Sequence, residues 1–326
     1  MSILVTATSK QGATGETVVT PLVTPRRLAA WSLLVAVLAG VAAALGVFAR
    51  GDGAFQTVTS VHGEAYEMAT TGVYANNALQ LVAEGVGWDV FALLVAVPAL
   101  VISVPFVARG SFRGTLVATG LLGYFLYMHL EYAVTWALGP ILLLFIATFA
   151  ACLVGIVGAA VILARGGLAS RFDERFPRRA WAGLSLGMSL LLSVMWIGRI
   201  FEALTATVPV LHGETTMTIQ VLDLGLVVPI SVVIAIAARR RHPAGLAAAA
   251  AFAATFVTMT AAIAAMMVSS WVVTGVSALA PIVLFGAASI AGGWTGLRMY
   301  RSVDGAAVGG AGARASEARP LAAGIG

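Results

Sequence analysis

The sequence predicts an all-α fold, a bundle of eight transmembrane helices, and three observations predict it. Hydrophobic residues make up 60% of the 326 residues and charged ones only 10%, with a mean hydropathy of +0.97. A soluble globule carries about 25% charged residues. Apolar runs of about 20 residues, enough to cross about 30 Å of hydrocarbon, recur eight times. The breaks between them are charged or hold Gly and Pro: "RGSFRG", "GP", "RFDERFPRR", "HGETT" and "RRRHPAG".

The spans fall at about 28–49, 89–108, 115–137, 141–163, 180–203, 218–238, 245–268 and 279–298. The first has too long a core, and too polar a leader, for a cleaved signal peptide. Pro140 stands where the fourth begins, a position at which a missing N–H is tolerated. The seventh, "GLAAAAAFAATFVTMTAAIAAMM", is alanine-rich and suits close helix packing. Pro98, Pro105, Pro229 and Pro281 lie in or near spans and would kink them. Ser185, Ser189 and Ser193 step by four along the fifth span and are expected to bond to its backbone. Residues 1–25 and 303–326 are polar or Gly/Ala-rich and read as disordered. Between the first two spans lies one long segment, 50–88, whose "YANNALQLVAEGVGW" reads as an interfacial helix leading into the second span. No internal repeat is evident.

The arginines set the orientation. Arg26 and Arg27 precede the first span, Arg109 and Arg113 follow the second, and Arg165, Arg171, Arg175, Arg178 and Arg179 follow the fourth. Arg239, Arg240 and Arg241 follow the sixth, and Arg298 and Arg301 the eighth. All fall on one side, so both termini are expected in the cytoplasm. The other side holds Arg50 with Asp52, Glu64, Glu67, Glu84 and Glu214. The excess of 19 Lys+Arg over 14 Asp+Glu therefore points to anionic lipid at the cytoplasmic Arg clusters and not to nucleic acid. Lys10 is the one lysine, and Ala, Val, Gly and Leu dominate, a composition that suits a GC-rich bacterium and its plasma membrane.

Four ionisable residues stand at one depth. At about 1.5 Å per residue, Glu131 lies about 26 Å from Gly114, and Arg199 about 27 Å from Trp181. Asp223 and Asp89 lie about 23 and 28 Å from the inner ends of their spans. Tyr124, Tyr127, Glu131 and Thr135 share one helical stripe, expected to face the bundle. His129, Tyr132 and Trp136 share another face, expected near the outer headgroups. Each residue also has a plain reading. Arg199 and Glu202 would be a local pair, Asp89 would cap its helix, and His129 would be a packing residue. Asp223, flanked by Val and Leu, is costly without a partner in hydrocarbon; the expectation is one network of Asp223, Arg199 and Glu131.

The sequence lacks zincin, nucleophile-elbow and Walker signatures. "GATGET" follows no strand and makes no phosphate loop. Cys152 is the single cysteine, so no disulfide or Cys-based metal site arises. Met266 and Met267 read as packing before soft metal ligands. His62 and His212 each open an "HGE" triplet, which leaves a shared external metal site as the minor reading against ordinary loops. No cofactor and no metal are implied.

Three functions fit these features. First is a binding or permeation role, with an outward-facing polar cavity lined by Asp89, Tyr124, Tyr127, Glu131, Arg199 and Asp223 for a small polar solute or protons. Next is a non-catalytic subunit or sensor docking a partner through loop 50–88 or 165–179. Last is a membrane enzyme with Glu131 or Asp223 as general base.

Gly87 and Asp89, then Pro98, Arg109-Gly110-Ser111, Arg113-Gly114, Gly123-Tyr124 and Tyr127 carry a resemblance. It extends to "LDLGLVVPISVVIA" around Asp223 and Pro229. Over about a third of its length the chain resembles a family of multi-pass bacterial, actinobacterial-like integral membrane proteins. That family has no assigned activity, so the resemblance implies the architecture alone.

Overall fold

The computed structural model describes residues 10–11, 17–18 and 22–307. The segments expected to be disordered lie largely outside these residues. Eight long helices dominate: α1 (Pro25–Phe48), α2 (Leu79–Ala108), α3 (Phe112–Thr135), α4 (Leu142–Arg165), α5 (Arg178–Thr205), α6 (Thr218–Arg239), α7 (Pro243–Thr274) and α8 (Leu279–Arg301). Two small antiparallel pairs accompany them: β1 (Lys10–Gln11) with β2 (Thr17–Val18), and β3 (Phe55–Thr59) with β4 (Ala65–Ala69).

Seven of the helices are long and apolar enough to cross a membrane, which marks a multi-pass membrane protein. Large apolar side chains point away from the bundle, Leu143 at 78% and Ile290 at 76% exposure; lipid tolerates what water would not. The exception is α3, whose hydropathy is lowered by Arg113, His129, Glu131 and three tyrosines. It packs between α2, α4 and α7, and its Phe125, Met128 and Tyr132 belong to the core.

Local chemistry explains the helix ends. Thr24 accepts the Arg27 N–H and Ser111 the Gly114 N–H, capping α1 and α3. Proline inside α2 and α6 has a specific consequence. Pro98 and Pro229 have no N–H, and their rings crowd the preceding turn. Just before each, the ladder widens into a five-residue π segment, Ala92–Ala96 and Asp223–Val227, with Val97 bonding to Ala92 and Val228 to Asp223.

These paired features expose an internal repeat that hydropathy conceals. At one constant offset, Val97, Pro98, Val101, Arg109, Gly114, Phe125 and Met128 meet Val228, Pro229, Val232, Arg240, Gly245, Phe256 and Met259. The turns match in hydrogen bonding as well. Gly110 and Ser111 donate to Val107 and Phe106, while Arg241 and His242 donate to Ala238 and Ala237. Both turns are Schellman closures with a left-handed residue, Gly110 or Arg241. Gly114 and Gly245 then fit against equivalent residues, Phe106 and Ala237. Thus α2 and α3 correspond to α6 and α7 at one offset, and by order α1 and α4 take the places of α5 and α8; α1 begins at Pro25-Arg26-Arg27, and Pro177 stands just before Arg178-Arg179 of α5.

The halves meet as isologous surfaces do. α2 packs on α7, its counterpart α6 touches α3, and α3 crosses α7. At the crossing Gly120 lies against the carbonyl of its own counterpart, Ala251, and Thr255 Oγ1 donates to the Gly120 carbonyl at 2.7 Å. The symmetry is broken in two places. α1 packs along α4, with Trp31 Nε1 donating to the Ala151 carbonyl at 2.7 Å, whereas α5 barely touches α8. And α2 begins at Leu79, while the segment matching its first two turns, 210–217, is not helical.

That early start corrects the expected boundary. As expected, the second half of segment 50–88 is helical and leads into the second span, with which it is continuous from Leu79; the part before Leu79 carries the β3–β4 hairpin. At the opposite end of the bundle, residues 303–307 are docked. Arg171, 3% exposed, donates to Gly166 and Ala306 carbonyls at 2.9 Å, pairs with Asp304 at 3.2 Å and lies over the Phe112 ring.

Candidate functional site

The polar residues of the hairpin end fall into four groups. The first surrounds Asp89, which lies inside α2 and caps nothing, contrary to the capping reading. Its carboxyl accepts the Tyr74 hydroxyl at 2.5 Å and the Tyr132 hydroxyl at 3.3 Å. Gly46 of α1 leaves room for this pair, since a Cβ there would overlap both Asp89 Oδ2 and the Tyr74 hydroxyl. The group is closed and fully buried.

Asp223 centres the second group. It opens the π segment of α6, accepts the Tyr127 hydroxyl from α3 and the Trp196 Nε1 from α5 at 2.7 Å. The expected partner Arg199 is elsewhere: it pairs with Glu202 at 2.9 Å and donates to the Val210 carbonyl at 2.7 Å. The single Asp223–Arg199–Glu131 network is therefore not formed, and the local Arg199–Glu202 pair is.

Glu131 stands alone. It is 3% exposed, its Oε2 has no hydrogen-bond partner, and no ion pair reaches it among the described residues. Tyr124, one hydroxyl further along the stripe, is likewise buried without a partner. On the other face of α3, His129 is 1% exposed among Phe125, Tyr132 and Phe145, with Nδ1 at 2.9 Å from the Phe125 carbonyl. It is a packing residue. Tyr132 and Trp136 are buried too, packed against Tyr74 and, for Tyr132, Phe145, so protein and not lipid covers this face of α3.

The fourth group is a cavity of about 200 Å³ between the two repeats. Gln80 and Glu84 of α2, Trp196 and Arg199 of α5, and His212, Glu214 and Gln220 line it, with Leu211 and Met217 as apolar walls. It exists because the symmetry fails here. Where α2 has its first two turns, the second repeat has the unwound segment 210–217, and the missing helix leaves the space. Of the six residues expected to line one cavity, only Arg199 does. Asp223 is linked to it through Trp196, Tyr127 through Asp223, and Asp89 and Tyr124 lie apart.

Antiparallel packing brings Glu131 to the depth of the cavity wall. Tyr127 of α3 meets Asp223 of α6, so one turn further on each helix sets Glu131 level with Ile219, itself a lining residue. Glu131 is within electrostatic reach of Glu214 and Glu84.

The cavity is roofed by a dock between the two HGE triplets. The Glu64 carboxylate, 7% exposed, accepts the backbone N–H groups of Leu211, His212 and Gly213 at 2.9, 3.1 and 3.3 Å. His62 Nε2 lies 3.1 Å from the Thr215 carbonyl. Gly213 has φ +77° and faces the Tyr66 ring with no room for a side chain. Three converging N–H groups form an anion nest, and the duplicated triplet serves loop docking in place of the metal site weighed above. Burial and the nearby Glu84 charge raise the Glu214 carboxyl from about 4.5 to about 7.

Sequence reasoning missed Gln80, Trp196 and Tyr74; it placed Glu84 and Glu214 only as outer-side acids and His212 only in the HGE triplet. The repeated HGE triplet was the available signal for the dock. No protein-family model matches the chain, and no curated protein or solved structure does.

Proposed function

We propose that the protein is an eight-span membrane protein of the bacterial plasma membrane whose outward-facing polar cavity binds, and passes inward, a small polar solute or protons. The observation that carries this is the cavity between the repeats together with Glu131, buried and unpaired at the depth of its wall. An unpartnered carboxyl in a membrane interior costs about 3 kcal/mol or more, and such residues persist where a pathway uses them. The arginine turns, all at the end opposite the hairpin, support a cytoplasmic placement of both termini and contact with anionic lipid. The resemblance to multi-pass bacterial proteins fits the same placement. In this reading Arg199 sits at the mouth, Glu131 below it, and the Tyr127–Asp223–Trp196 cluster at the next level inward; Asp89 and Tyr124 support α2 and α3 from within.

The test is proton or solute flux in vesicles reconstituted with the full chain. Glu131→Gln and Asp223→Asn should abolish flux while the protein still inserts and purifies as folded material. Normal flux in both variants would remove the pathway.

A second reading, a subunit that docks a membrane partner, is favoured by the open side of the second repeat. Gly183, Gly187 and Gly198 of α5 and Gly286 and Gly293 of α8 face empty space, in a small-residue pattern that suits helix association. Co-purification of a stoichiometric membrane partner, lost on Gly187→Leu, would support it.

A further inference from the structure

We infer that the cavity takes a small organic cation with N–H donors, a primary ammonium group, with Glu214 and Glu84 as its counter-charges and the Trp196 ring as its apolar wall. The inference rests on the cavity reading above and adds the ligand's chemistry to it.

The argument is an inventory of free donors and acceptors. The charged donor of the wall is ion-paired, and two further donors are turned to protein acceptors. Arg199 spends Nη1 on Glu202 and Nη2 on the Val210 carbonyl. Gln80 Nε2 is shared between Glu84 Oε1 and Ser270 Oγ. Trp196 gives its N–H to Asp223 at 2.7 Å, leaving the ring as wall. The acceptors are in surplus. Glu84 keeps one oxygen free of the Gln80 bond, and Glu214 draws only on the Thr218 backbone N–H. Outside the lining but at the same depth, Glu131, nine-tenths and more buried, has an oxygen with no partner.

Charge follows the same count. Glu202 offsets Arg199, so Glu84 and Glu214, the two carboxyls that line the cavity, are left without a counter-ion. An anion would meet these two carboxyls, and a neutral solute would leave them without a counter-charge. An ammonium group supplies three donors and one positive charge, and its contact with an indole face is favourable. A bare metal ion fits less well, because no three His, Cys, Asp or Glu residues among those described are placed to hold one. Gln220 and His212, on the same wall, are left for the remainder of the solute.

The experiment is calorimetric titration of the full chain in detergent at pH 8, with butylamine, butanol, butyrate and sodium or calcium chloride as probes. Butylamine alone should bind, and Glu214→Gln and Glu84→Gln should each weaken it about tenfold or more without lowering the ligand-free unfolding temperature. Binding of butyrate or butanol as tight as that of butylamine, or of calcium at the same site, overturns the ligand class and leaves the cavity. Unchanged butylamine affinity in both variants overturns the assignment as well. A Gln220→Cys variant separates the two failures. If no probe binds but a water-soluble maleimide labels that position, the cation inference fails alone; if the position is also unreactive, the cavity reading falls with it.

Discussion

At the scale of single residues, the hairpin end depends on two kinds of fit. Gly46 is a steric one: its hydrogen is all that separates α1 from the Asp89–Tyr74 pair. Gly46→Ala should lower stability by about 1–3 kcal/mol, measured by thermal unfolding in detergent. Gly40→Ala on the same helix is the control, because its Cβ would meet Val97 at an ordinary 3.6 Å, so stability should hold or rise slightly. Glu214 is an electrostatic fit. Its carboxyl is held near 7 in the folded protein by burial first and by Glu84 second, against about 4.5 when free. A raised pKa favours the protonated folded form, so its contribution to stability is complete below about 4.5 and declines as the pH passes through 7. Wild type should therefore lose stability between those values relative to Glu214→Gln, the difference isolating this group from Glu84, Glu131, Arg199 and His212 around it. A flat difference across that window would show that Glu214 is solvated like a surface acid.

At the scale of elements, helix existence was readable and helix relationship was not. Hydropathy located every long helix, because lipid demands an apolar run whatever the packing. It placed the second span ten residues late because Glu84, Gly85 and Gly87 interrupt the apolar run, whereas the glycines are there to let Trp136 and the α7 backbone come close. The repeat escaped because duplication preserved what the backbone requires, Pro98 and Pro229, Arg109 and Arg240, Gly114 and Gly245, while function-bearing side chains diverged: Asp89 faces Gln220, and Glu131 faces Ala262. The cavity escaped for a related reason, since its walls come from three segments far apart in sequence. The repeat interface makes its own prediction. Gly120→Ala drives a methyl into the Ala251 carbonyl and should cost about 1–3 kcal/mol. Gly187→Ala, in open space, should be neutral or stabilising by up to about 1 kcal/mol. Unfolding midpoints of the two variants in detergent check both; a loss at Gly187 in native membranes but not in detergent would point to a bound partner.

At the scale of the whole molecule, the repeat bears on topology. Four helices per half is an even number, so if all cross, each half enters and leaves on the same side and the two run parallel, related by an axis along the membrane normal. Everything turns on α3, the helix that composition alone leaves doubtful. Val61, 78% exposed in the β3–β4 hairpin, follows one crossing. Arg175, with its side chain 90% exposed in the turn before α5, follows four crossings if α3 spans and three if it does not. Val61→Cys and Arg175→Cys should thus label from opposite faces: the first with an impermeant maleimide on intact cells, the second only after permeabilisation. The native Cys152 is buried and adds little background. Labelling of both positions from one face would mean that α3 re-enters without crossing, and with it Glu131 would leave the membrane interior and the cost that argues for its function.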